Sequence, residues 1–265
     1  MKKFLKWFII LVSLILVYIF LIEPNIIIVT SITIESEKIS EDIGKIKILE
    51  ISDLHIKNFG VREREVLFLI RAIKPDVIFI TGDFYEKLNK LSEVKEFVKE
   101  LKIKAYAVLG NWDYWAGDID PLITTLKENG IEVLINDNRF YFKDGDFINI
   151  VGVSDPYTGH DDIKRATMGL NKKKFTILLS HAPCIVNHLK DEKFDLIICG
   201  HTHGGQVNIP FVKPFWAPTE TNYIRGMYET KWGKLYVNRG IGLSVFPIRF
   251  MCPPEITLFT LKSKE

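Results

Sequence analysis

The chain has 265 residues, 47% of them hydrophobic and 26% charged, with 17 glycines and 11 prolines scattered along it. That length and mixture suit one globular domain with a substantial core and exclude a disordered or low-complexity chain. The net charge is +2, and Lys2, Lys3 and Lys6 set against Glu23 account for all of it, so no basic field remains to bind nucleic acid.

The first element is apolar. From Trp7 to Ile22 the stretch WFIILVSLILVYIFLI carries no charge, and only Ser13 in it is polar. At about 1.5 Å per residue this is a short but usable bilayer span, with lysine stems able to snorkel at one end. The stretch is longer than an ordinary signal core, and Ile22-Glu23-Pro24-Asn25 lacks the small residues of a cleavage site. The expectation is an uncleaved anchor over residues 1–23 and one domain over residues 24–265. Three lysines before the span and an acid after it predict a single-pass protein of the cell membrane, N-terminus in the cytoplasm and domain outside.

Beyond the anchor, strand-like runs alternate with helix-period stretches. Strands are predicted at 26–34, 46–51, 76–80, 105–109, 148–153, 175–179, 194–199, 234–238 and 255–261, and helices at 61–73, 92–102, 119–129 and 183–190. The alternation predicts an α/β fold whose strands are buried between helical layers. Cys184, Cys199 and Cys252 show no C-x-x-C spacing and read as buried thiols.

Polar residues gather just past the carboxyl ends of these strands, where open α/β sheets place their ligands. Asp53 and His55 follow the strand at 46–51, Asp83 the one at 76–80, and Asn111 the one at 105–109. His181 follows the strand at 175–179, and His201 and His203 the one at 194–199. Singly, each reads as a turn residue or a solvated histidine. Together they offer two carboxylates, one amide and four imidazoles, a donor set suited to hard or borderline divalent ions.

The order D53-L-H55, G82-D83, G110-N111, H181, G200-H201-T202-H203 resembles the calcineurin-like metallophosphoesterase superfamily over nearly all of residues 45–261. The phrases YAVLGN, SHAP, GHTHGGQV, VNRGIG and PPEITLFTL make it most similar to the membrane-anchored bacterial and archaeal phosphodiesterases of that superfamily, some of which are pyrophosphatases of a nucleotide-linked lipid sugar. The resemblance implies a four-layer αββα sandwich. It also implies that Asp53, His55, Asp83 and His203 hold one divalent ion (Mn2+, Fe2+ or Zn2+) while Asp83, Asn111, His181 and His201 hold a second. Asp83 would bridge them, since two cations about 3.5 to 4 Å apart need a shared anion, and a hydroxide between them would be the nucleophile.

One position departs from the family. Where the family carries Gly-Asn-His followed by Asp or Glu, this chain has Gly110-Asn111-Trp112-Asp113, so the histidine thought to protonate the leaving oxygen is absent. A leaving group already stable as an anion, as in a pyrophosphate, fits that absence better than an alkyl diester does. His160 is the candidate substitute acid, and His188 reads as a surface residue. Arg225 and Arg239 are candidate substrate-binding residues, and Arg249 is a further cation able to clamp phosphate. The apolar loop Ile209–Trp216 reads as a hairpin packed on the second sheet, or as a lip reaching the membrane interface.

The sequence therefore predicts a membrane-anchored, dinuclear metal-dependent phosphoesterase acting on a phosphodiester or pyrophosphate, with a lipid or nucleotide-linked lipid as substrate. Two alternatives stay open: a phosphodiesterase or phosphomonoesterase of soluble substrates, and a metal-stabilised membrane scaffold without turnover.

Overall fold

The computed structural model describes residues 1–212, 214 and 221–264. Helix α1 (Lys2–Val17) continues through a wide turn at Tyr18–Ile22 and a tight one at Glu23–Asn25. This 24-residue helical stretch, Lys2–Asn25, is long and apolar enough to cross a membrane, and its apolar window is unburied. Glu23 and Pro24, on either side of the expected boundary after residue 23, are both buried.

The domain runs β1 (Ile28–Ser36), β2 (Lys45–Ile51), α2 (Val61–Ile73), β3 (Val77–Thr81), α3 (Leu91–Lys99), β4 (Ala105–Val108), α4 (Asn111–Trp115), α5 (Asp120–Glu128), β5 (Ile131–Val133), β6 (Asp137–Lys143) and β7 (Asp146–Gly152). It continues with α6 (Ile163–Ala166), β8 (Thr176–Leu179), β9 (Leu196–Cys199), β10 (Gly226–Thr230), β11 (Gly233–Val237) and β12 (Glu255–Ser263). Among the described residues two six-stranded sheets form, one ordered β1-β12-β2-β3-β4-β5 and the other β10-β11-β9-β8-β7-β6.

Alternation along the strands explains the stacking. Ile46, Ile48, Val77 and Phe79 of the first sheet join Ile148, Ile150, Ile177 and Ile198 of the second in one core between the sheets. Their neighbours Leu49, Ile51, Ile78 and Ile80 point the other way, against Val66, Ile70, Phe97 and Leu126 of α2, α3 and α5. Leu178, Ile197 and Leu235 likewise meet Ile163 and Ile185 on the outer face of the second sheet. Strands buried on both faces read as continuous apolar runs, and the layers are helix, sheet, sheet, helix, as the resemblance implied.

The strands β2, β3 and β4 are mutually parallel, as are β7, β8, β9 and β11. Both sets therefore deliver loops from their carboxyl ends to one edge. Three strands were not anticipated: β5, β6 and β10. Sheet-edge strands β6 and β10 have no fully buried residue, so they lack the apolar run that marks the inner strands. The helix expected at 183–190 is a tight turn over Pro183–Asn187. The three cysteines are buried and form no disulfide.

Candidate metal centre

The loop after β2 lies against the loop after β3 through backbone hydrogen bonds. Asp53 N–H donates to the Gly82 carbonyl (3.1 Å), and His55 N–H to that of Asp83 (2.9 Å). This pairing puts both side chains of the D-x-H stretch on the site edge, next to Asp83. Five of the seven predicted residues take left-handed backbone angles: Asp53 (φ 50°), His55 (42°), Asp83 (56°), His201 (72°) and His203 (50°). Non-glycine residues seldom adopt such angles, and concentrations of them mark sites where geometry is held by its surroundings.

Close backbone approach completes the cage. A Cβ on Gly200 would lie 1.9 Å from Ser52 Oγ and 2.3 Å from an Asp53 carboxylate oxygen. One on Gly110 would lie 2.3 Å from an Asp83 oxygen. Glycine is required at both positions by contact with the two carboxylates.

All seven residues converge, each at most 9% exposed. On one side, His55 Nε2 lies 3.1 Å from His203 Nε2 and 3.4 Å from Asp83 Oδ2, and His203 Nε2 is 3.4 Å from Asp53 Oδ1. On the other, His181 Nε2 lies 3.0 Å from Asn111 Oδ1, 3.1 Å from His201 Nδ1 and 3.3 Å from Asp83 Oδ2. Asp83 Oδ2 is thus shared by both groups of donors. Asp53 also reaches both: with His55 and His203 it makes one three-residue cluster, and with Asp83 and His181 another, ligand atoms within 4.8 Å of one another in each.

These separations test whether a metal fits. Donor atoms about 2.0–2.2 Å from a common ion stand roughly 2.8–3.6 Å apart, the short end for neighbours in an octahedral shell and the long end for a tetrahedral one. The observed spacings of 3.0–3.4 Å fall on that range. The charges agree with the distances. Burial pushes Asp53 up, with Asp83 adding to it, whereas Asp83, also penalised by burial, is carried below the ordinary carboxylate value by His181 and His55. Burial alone would lower His181, yet the Asp83 carboxylate raises it well above an ordinary histidine. Burial and then His181 hold His201 down at about 3, and burial holds His203 low. Burial thus keeps the His201 and His203 imidazoles neutral for ligation, while the buried carboxylates favour positive charge beside them, as at His181.

Supporting residues orient these donors. His181 Nδ1–H donates to the Thr81 carbonyl (2.7 Å), which turns Nε2 into the cage. Glu86 stands 3.4 Å from His55 Nδ1. The Asp113 carboxylate accepts from the backbone N–H of Asp83, Phe84 and Gly110 at 2.8–2.9 Å. Burial and the neighbouring Asp83 push Asp113 up to about 8. Such hydrogen-bonded outer partners fix tautomer and orientation. Sequence reasoning missed Glu86 and Thr81, which lie outside the motifs; Asp113 was visible as the last residue of Gly-Asn-Trp-Asp.

The remaining predicted residues divide. Trp112 packs edge-on against His55 (6.1 Å between centroids), and its backbone N–H donates to Asp83 Oδ1 (2.9 Å). His160 is exposed, stacked on Tyr114 (4.3 Å), with Nδ1 2.8 Å from Thr158 Oγ1. It lines a cleft of about 640 Å³ with Trp115 and Tyr157, and the Tyr157 ring packs on His201 (4.7 Å). His188 pairs with Asp161 at the surface. Arg225 is exposed and follows Ile224, whose carbonyl accepts from Thr202 Oγ1 (2.6 Å) within the histidine turn. Arg239 is engaged by Glu255 at 3.5 Å.

Arg249 overturns the expectation of a phosphate clamp. Its guanidinium is buried and donates to the carbonyls of Cys252, Arg239, Gly240 and Gly242 at 2.7–3.0 Å. It braces the loop whose Gly240 and Gly242 press on Asp53 and His55. Of the apolar loop at 209–216, Lys213, Phe215 and Trp216 lie outside the described residues. Ile209, Phe211 and Val212 are exposed.

Comparison with known proteins follows the same residues. The family model for the calcineurin-like phosphoesterase matches residues 46–205. The chain is 34% identical over 257 residues to the uncharacterized metallophosphoesterase YkuE of Bacillus subtilis (strain 168), covering 91% of this chain and 88% of that protein. It is 31% identical over 224 residues to phosphodiesterase YaeI of Escherichia coli (strain K12), covering 81% and 82%. It is 28% identical over 301 aligned residues to the UDP-2,3-diacylglucosamine pyrophosphatase LpxG of Chlamydia trachomatis serovar D, covering 89% and 90%.

Proposed function

The chain belongs to the calcineurin-like phosphoesterase family and is a phosphoester hydrolase, and from that premise we propose that it cleaves a pyrophosphate or activated phosphodiester bond in a lipid-linked substrate, using two divalent metal ions. Asp53, His55, Asp83 and His203 would hold one ion and Asp83, Asn111, His181 and His201 the other. The observation that carries this reading is the single oxygen Asp83 Oδ2, 3.4 Å from His55 Nε2 and 3.3 Å from His181 Nε2.

When bound, two such ions lower the pKa of water toward about 7 and neutralise phosphoryl oxygens. The chain's own groups do the rest. Thr81 and Glu86 aim the imidazoles, and Asp113 and the Trp112 N–H fix Asp83. The Trp112 and Tyr157 rings pack on His55 and His201 and form a wall on that side of the cage. Trp112 has no proton to give a leaving oxygen, and general acid help is worth about 10² to 10⁴ in rate. A leaving phosphate anion does not need that help, which favours a pyrophosphate over an alkyl diester. The likeness to LpxG supports the same choice. Aromatic walls at Trp115 and Tyr157 suit a base or sugar lying beside the cage. Arg225, on the rim of the histidine turn, is our assignment for a phosphate contact, and His160 for any residual proton donor.

Purified full-length protein with added manganese should hydrolyse a nucleotide-linked lipid pyrophosphate at least about 10²-fold faster than an alkyl diester with a poor leaving group. Equal rates on the two would overturn the leaving-group argument. No hydrolysis of either, nor of an activated aryl diester, would leave the scaffold reading.

A further inference from the structure

The anchor joins the domain at the edge that carries the cage. β1 begins at Ile28, paired with Glu255 at the start of β12 in parallel register. β12 runs antiparallel to β2, with Thr257 opposite Glu50. The first residue of β1 therefore lies level with the carboxyl end of β2, where Asp53 and His55 emerge.

Hydrogen bonds fasten the end of the anchor helix to that edge. The Ile19 carbonyl accepts from Arg249 N–H (3.1 Å). The Glu23 carboxylate, 1% exposed, accepts from the N–H of Met251 (3.0 Å) and Cys252 (2.5 Å). The same short segment touches the cage, with Cys252 Sγ 3.4 Å from the His203 carbonyl.

The surface around this junction is apolar. Val245 is 52% exposed, Phe246 43%, Met251 53%, Ile209 52%, Phe211 108% and Val212 58%. Two loops carry these side chains and are tied together by Gln206, whose Nε2 donates to the Ser244 carbonyl (3.0 Å), and by Asn208 N–H donating to that of Phe250 (2.9 Å). Phe211, Val245 and Met251 have φ of 66°, 61° and 54°. Left-handed angles are unfavourable for bulky and especially β-branched residues, so the backbone is held in a costly shape while it presents apolar groups outward.

We propose that this rim is a lipid-interface surface: it seats in the headgroup boundary of the bilayer crossed by α1, so that the mouth of the cage opens at the membrane plane and receives its phosphoester from there. The occupant is the bilayer itself, because the rim is continuous with the end of the helix that crosses it. The proposal about substrate entry rests on the hydrolase reading above; the seating of the rim does not.

Full-length protein in nanodiscs of phosphatidylcholine and phosphatidylglycerol tests it. Nitroxide labels at Phe211→Cys and Met251→Cys are compared with one at Phe142→Cys, which is 69% exposed on the opposite edge of the second sheet. The native cysteines are buried and do not compete for label. Labels at 211 and 251 should be several-fold more accessible to oxygen than to a water-soluble nickel complex, with the order reversed at 142. Equal accessibility at the three positions overturns the proposal, whatever the enzyme hydrolyses. In a second arm, Phe211→Ser combined with Met251→Ser should leave turnover of a soluble aryl diester within twofold and lower turnover of a bilayer-borne substrate about tenfold. Equal loss on both substrates, or on neither, overturns the entry route. Inactivity of the unmutated protein on every substrate instead refutes the hydrolase reading, and the label depths still decide the rim.

Discussion

The metal cage and the anchor junction are both polar clusters buried at the same edge of the sheets, and they satisfy their charges in opposite ways. In the junction, Glu23 is met by two backbone N–H groups and Arg249 by four carbonyls, all from the chain itself. In the cage, Asp53 and Asp83 Oδ1 also accept backbone N–H groups, but Asp83 Oδ2 faces only imidazoles, and the imidazole and amide donor atoms are turned toward one another. Charge that the chain satisfies internally holds structure; charge left facing other donors is kept for something from outside. Removing a group from each cluster should therefore have opposite signatures.

The largest effect is expected at Asp83. Asp83→Asn removes the shared anionic oxygen while keeping the side chain's volume, and hydrolysis should fall by about 10³-fold or more with loss of bound metal. Stability of the metal-free protein should hold, because His181, whose positive charge depends on Asp83, gives up its proton in the variant and no charge is left unpaired there. Metal analysis beside thermal melting checks both halves, and a marked drop in the metal-free melting temperature would erase the distinction between the clusters.

Arg249→Met should do the reverse. Four carbonyls lose a charged donor in a buried place, and a loss of about 3 kcal/mol is expected with or without metal. Denaturant unfolding with and without manganese measures it. Activity on a soluble diester should fall mainly through weakened metal binding, since the braced loop presses on Asp53 and His55.

The two clusters also differ in how far they could be read from sequence. The cage is written in short local phrases, because each ligand sits two to four residues past a buried strand and its residue type is its chemistry. The fold class follows from the same strands, whose unbroken apolar runs signal burial on both faces. The junction has no such phrase. Glu23 meets residues 228 and 229 positions away, and beside a membrane span it reads as an orientation signal. Arg249 reads as a phosphate cation because sequence does not reveal that backbone carbonyls surround it. The tight turn at Pro183–Asn187 reads as a helix in the sequence because its apolar side chains pack on a sheet whatever the local coil.

Glu86 sharpens the comparison within the cage. Its carboxylate stands behind His55 Nδ1 and beside Lys57 (3.2 Å). Burial would raise Glu86, but His55 and then Lys57 hold it below the ordinary value. Glu86→Gln should weaken metal affinity by roughly 10-fold, the lower end of what outer partners contribute, with kcat recovered at high metal concentration. An unchanged affinity would mean that the strained backbone at His55 alone fixes the ring.

The smallest effect is expected at Glu23, and it bears on where the domain begins. Glu23→Gln keeps one oxygen to accept from Met251 or Cys252 but turns an N–H donor toward the other N–H. That mismatch should cost about 1–2 kcal/mol, near the lower end for an unsatisfied buried group. Deleting residues 1–23 removes both acceptors and the Ile19 carbonyl, so a domain cut there should melt below one cut before Ile19 and bind metal more weakly. If the two truncations melt together, Glu23 is only a flank of the span. If they separate, the last turn of the N-terminal helix is part of the hydrolase domain, and the cage is stiffened by the same contacts that join it to that helix.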